Sequence, residues 1–221
     1  MKPKIFDLPE PERQKAIGVL LEESVPDADF FVLLVLSSFI VVPGLLINNA
    51  AIIIGGMVVA PLLFPILGIS MGISQANFHL IFRCLRTMLL AVGLVFLGAL
   101  LMALFSPDRI VNAEIEARAT VSFAHSVVAI ASGVAAAFAL VKPKISATVT
   151  GIAVSVSLLP PLATAGIGAS MLDWRLVSGS IGLFLVNCLG IILAATVIFS
   201  LLGFYPERKQ TERKLKTEEQ A

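Results

Sequence analysis

Six long apolar runs, separated by short polar islands, divide the chain: residues 30–47, 50–72, 85–105, 121–141, 145–171 and 177–204. About 18 or more apolar residues in succession predict a membrane-crossing helix. The flanks differ. Residues 1–28 are polar, with Ile17, Leu20 and Leu21 at helical spacing, and predict a short amphipathic helix at a membrane surface. Asp27 and Asp29 stand where they can cap the first run. The tail 205–221 is charged, and the longest island, 106–120, has room for a short helix. Two of the runs contain prolines. "GGMVVAPLLFPILGISMG" holds Pro61 and Pro65, and "SLLPPLATAGIG" holds Pro160 and Pro161.

Composition agrees with the runs. The chain is 57% hydrophobic and 14% charged, against about a quarter charged in a soluble domain, and its mean hydropathy is +0.96. The expected class is an all-α, polytopic membrane protein with six transmembrane helices, in contact with the lipid bilayer. The net charge of +1 gives no reason to expect nucleic acid as a partner. With the N-terminus placed in the cytoplasm, 13 of the 16 basic residues fall on the cytoplasmic side, and only Arg109, Arg118 and Arg175 fall outside. Both termini are therefore expected in the cytoplasm and the protein in the inner (plasma) membrane. The polar start does not resemble a secretory signal peptide. Cys84 and Cys188 lie in or beside apolar runs and read as small hydrophobes.

Sliding the sequence by 96 residues lays 51–80 on 147–176 with nine identities in 30 positions, among them Gly55/Gly151, Pro65/Pro161, Gly72/Gly168 and Ser74/Ser170. A repeat of three spans reverses its direction at the second copy. The expected architecture is thus an inverted three-plus-three repeat. It comprises a cytoplasmic segment 1–28, a first unit 29–106, an outer loop and second unit 107–204, and a cytoplasmic tail 205–221.

Proline is costly inside a helix and favourable in its first turn. Spans two and five are therefore expected to break, with second halves starting at Pro65 and Pro161 and their positive ends aimed at one central region. The candidate site comprises Ala60, Pro61, Pro65 and Gly68 with Ser155, Ser157, Pro160, Pro161, Thr164 and Gly166. Gly68 and Gly72 have the spacing of close helix packing. His125, just inside the fourth span, is a candidate proton relay or an interfacial hydrogen-bonding group. Asn48-Asn49 reads as turn chemistry. No nucleotide loop, zinc-ligand spacing or catalytic pair is present in the sequence, so neither enzyme, metal nor cofactor is expected.

The runs Ile53–Gly68 and Leu158–Gly166 resemble the three-eighty-nine domain-of-unknown-function family of hydrophobic prokaryotic membrane proteins, over roughly residues 30–204. The resemblance implies the membrane architecture and carries no activity. The expected function is transport of a small solute, anionic or neutral, by a secondary transporter or channel that forms a homo-oligomer. The alternative is a non-transporting scaffold, lipid-organising or regulatory protein.

Overall fold

Short side chains that accept hydrogen bonds start five of the ten described α-helices. In the computed structural model, which describes residues 8–107, 110–142 and 158–219, Asp27 caps α2 (Ala28–Leu46) and Asn49 caps α3 (Ala50–Val59). Asn77 caps α5 (Phe78–Phe105), Asn112 caps α6 (Ala113–Ala117), and Asp173 caps α9 (Trp174–Leu201). Each side chain takes up a backbone N–H that the first turn cannot satisfy. The remaining helices are α1 (Glu10–Glu23), α4 (Leu63–Ser74), α7 (Phe123–Val141), α8 (Leu159–Ser170) and α10 (Arg208–Glu219), with a 3₁₀ turn at Tyr205–Glu207 before α10. No strand occurs among the described residues.

Four helices, α2, α5, α7 and α9, are long and apolar enough to cross a membrane. The pair α3 and α4, bent by 53°, makes a fifth candidate if it is one span. Among the described residues there are thus four to five candidate spans, against six expected. The difference lies in the fifth apolar run. α8 forms its second part, and residues 145–157 lie outside the described residues.

Three turns share one design. The N–H of Asn49, Asn77 and Asp173 donates to the carbonyl of Gly44, Gly72 and Gly168 at 2.8, 2.8 and 2.9 Å. The residue before each, Asn48, Ala76 or Leu172, has φ of 57°, 51° and 57°. This is a Schellman ending, in which a left-handed residue turns the chain back on itself. The closing residue is also the cap of the next helix, so the helices form tight antiparallel hairpins.

The 96-residue offset survives in the elements. α4 maps onto α8, and α5 onto α9, with identical boundaries. α5 packs on α4 and α8, and α9 packs on α8 and α4. α4 and α8 are the innermost helices, with every residue from Leu159 to Gly168 buried. The long helices cover them and turn apolar faces outward: Leu89, Leu97 and Leu101 on α5, and Leu185, Leu193 and Val197 on α9, are all exposed. An apolar surface of this kind, on helices of this length, marks a membrane protein.

Hydrogen bonds sort the connections into two ends. At one end Asn112 Nδ2 donates to Leu45 O at 2.7 Å, and Arg175 is paired with Glu116. At the other, Arg13 Nε donates to Glu207 Oε1 at 3.2 Å, and Lys214 Nζ donates to Gln14 O at 3.3 Å. The amphipathic segment is indeed a helix, but α1 buries Ala16, Ile17, Leu20 and Leu21 within the protein, packed on α4 and α7.

Candidate functional site

α3 stops at Val59 and α4 starts at Leu63, so Ala60, Pro61 and Leu62 form the bend. The expected restart at Pro65 shifts two residues earlier, to Leu63. Pro65 is the third residue of α4 and Pro161 the third of α8, which begins at Leu159 under Leu158. The reason is elementary. The first helical residues need no donor, so proline fits any of them and does not mark which comes first.

The starts of α4 and α8 meet. Met57, Ala60, Leu62 and Leu63 line a small cavity together with Leu158 and Leu159. Leu62 and Leu63 are the partners of Leu158 and Leu159 at the 96-residue offset. The cavity measures about 10 Å³, about enough for one water. Neither helix has a side-chain cap. Their first-turn N–H groups and positive ends face a largely apolar space. The prolines thin those donors: Pro65 removes one from α4, while Pro160 and Pro161 remove two from α8.

Pro61 faces elsewhere. With Glu22, Glu23, Asp27 and Asp29 it lines an opening of about 260 Å³ between the end of α1 and the start of α2. Sequence reading missed these carboxylates as a group, because they look like ordinary helix-flanking charges. The bend that brings Pro61 to them is a tertiary feature.

A family model described as "Domain of unknown function (DUF389)" matches residues 57–193. The chain belongs to this family. The match takes in the cavity and most of α9, and leaves α1, α2 and α10 of this DUF389 chain outside. The uncharacterised protein MJ0678 of Methanocaldococcus jannaschii is 31% identical over 178 residues, which are 80% of this chain and 55% of that protein. The chain thus spans about half the length of that relative. No solved structure matches it.

The other expected residues of the DUF389 chain scatter around the cavity. Gly68 faces α5, where an added Cβ would lie 2.4 Å from Cys84 Sγ. Gly166 faces α5 from the other side, with Phe96 O at 2.5 Å from such a Cβ. Both are packing positions. Thr164 is fully buried, and its hydroxyl has no hydrogen-bond partner among the described residues. Ser155 and Ser157 lie outside the described residues. His125 is in the first turn of α7, where its Nδ1 accepts the Ser122 N–H at 3.2 Å. That bond places it as an end-of-helix group, away from the cavity. Asn48 and Asn49 are the turn pair expected of them.

Proposed function

We propose that this protein moves a small solute across the membrane, with the solute passing between the starts of α4 and α8. The observation that carries the reading is that two uncapped, proline-bearing helix starts at equivalent positions line one cavity. Helix halves that begin inside a membrane protein are how transporters build a midplane site. The reading includes six spans as an inverted three-plus-three repeat, with spans two and five broken. The shared boundaries and reciprocal packing of α4–α5 and α8–α9 support it. So do the charges: Arg118 and Arg175 are at one end, while Arg13, Lys15, Arg83, Arg86 and Lys142 flank the other, which is the cytoplasmic end in this reading.

The solute is neutral or zwitterionic. Positive helix ends at the cavity favour an anionic group. The four carboxylates at the Pro61 opening repel a net anion. A zwitterion or a neutral polar molecule satisfies both. Enzymatic chemistry forms no part of the reading.

The test is flux in proteoliposomes across a panel of amino acids, sugars, and inorganic and organic ions. Uptake of a neutral or zwitterionic solute is expected, with Leu159→Trp blocking it in a protein that still folds. Failure of the whole panel, with the cavity walls unable to move apart in crosslinking, would remove the reading. One observation favours the non-transporting alternative: about 10 Å³ of apolar-lined space holds no solute in this conformation. Transport therefore requires α4 and α8 to separate at their starts.

A further inference from the structure

The two ends of α1 do different things. Its last residues, Glu22 and Glu23, line the opening at Pro61. Ser24, just beyond them, rests on the bundle: its Oγ would lie 3.5 Å from a Cβ at Gly68, and its carbonyl accepts from Thr87 Oγ1 at 3.5 Å. The earlier part of α1 is held by the C-terminal segment, nearly 200 residues away. Arg13 Nε donates to Glu207 Oε1 at 3.2 Å, and its Nη1 donates to Leu8 O at 2.9 Å. Lys214 Nζ adds a bond to Gln14 O at 3.3 Å. Neither Arg13 nor Glu207 lies in the family-matched region 57–193.

The clasp is held together incompletely. The Glu207 side chain is only 4% exposed, yet its Oε2 has no hydrogen-bond partner among the described residues. A buried carboxylate with one oxygen unsatisfied loses hydration that one ion pair recovers only in part. Releasing Glu207 to water offsets much of what breaking the pair loses. Such a contact suits a strap that opens and closes.

We propose that α1 is a gate over the Pro61 opening, and that the C-terminal segment holds it shut through Arg13 and Glu207. What the gate admits rests on the transport reading; that the clasp controls the opening does not. Val25 lines the same opening and is half-buried. A cysteine there reports the gate, because the native Cys84 and Cys188 are buried and react slowly.

The experiment measures the rate at which a water-soluble maleimide labels Val25→Cys in the full-length protein in liposomes, with the parent as background. Arg13→Glu and Glu207→Arg should each speed labelling roughly threefold or more, since each leaves two like charges facing. Combining them should restore the parental rate. Glu207→Gln, which removes the charge pair at nearly constant size, should also speed labelling. This covers the case in which a single variant does not fold. Unchanged rates in all three single variants, or a double variant as fast as the charge-reversed singles, would overturn the gate. Neither result bears on whether solute moves, which the flux assay decides separately.

Discussion

Gly166 shows what a single missing side chain does here. An alanine Cβ at that position would stand 2.5 Å from Phe96 O and 2.9 Å from Leu100 N, both backbone atoms of α5. Backbone cannot swing aside, so α8 must move. Gly166→Ala should destabilise the protein by about 1–3 kcal/mol, read as a fall in melting temperature in detergent. Gly55→Ala is the control, since nothing lies within 4 Å of its Cβ and it should melt no lower than the parent. Charge acts at the same scale in Glu116. Arg175 Nη2 donates to its Oε2 at 3.1 Å, and this bond holds the Glu116 carboxyl below the usual carboxylate range. A depressed carboxylate stabilises the fold above its unfolded value and ceases to do so as pH falls through its folded one. The protection of the α6 amides, relative to their intrinsic exchange rates, should therefore be constant from pH 7 down to the ordinary carboxylate range and then fall. Glu116→Gln should show the faster exchange throughout.

Among elements, the hairpins carry the most information. Gly44/Asn49, Gly72/Asn77 and Gly168/Asp173 share one spacing, a glycine followed five residues later by Asn or Asp. That signal lies in the sequence and went unread, because glycines in apolar runs suggest packing before they suggest turns. Since the turns at Asn77 and Asp173 are built alike, Asn77→Ala and Asp173→Ala should each cost about 1 kcal/mol and differ little. Denaturation by sodium dodecyl sulfate would measure both. Other elements were legible to different degrees. The apolar runs marked α2, α5, α7 and α9, because length and hydropathy suffice for a helix that faces lipid. The start of α4 was displaced by two residues, because proline tolerates several first-turn positions. α1 was legible as a helix but not as a buried one, since its partners on α4 and α7 lie far away in sequence. The opening at Pro61 was not legible, since it depends on a 53° bend.

At the scale of the molecule, the bundle has one end rich in basic residues and one end poor in them. Cysteines placed at Ala76 and Leu172, both exposed turn residues, should label from opposite sides of an intact cell, with Ala76 accessible only after the membrane is opened. Labelling of both from one side would contradict the proposed topology. The candidate cavity was only partly legible at this scale. Its helix starts could be inferred from paired prolines, whereas Gly68 and Gly166 turned out to face a neighbouring helix. Periodicity within a run cannot say which side of a fully buried helix meets a cavity.

α5 and α9 have 28 residues each, or about 42 Å of helix. The hydrocarbon core of a typical bilayer is about 30 Å. Both helices must lean, protrude or thicken the lipid around them. Their first residues, Phe78 and Trp174, are each 70% exposed and lie at opposite ends of the bundle. A tryptophan ring settles at the headgroup boundary, which suits Trp174, whereas Arg83 and Arg86 make the first turns of α5 a part that protrudes. A thicker bilayer would let them stand more upright and a thinner one would tilt them further. Since α5 and α9 pack on both innermost helices, a change in bilayer thickness reaches the place where α4 and α8 begin.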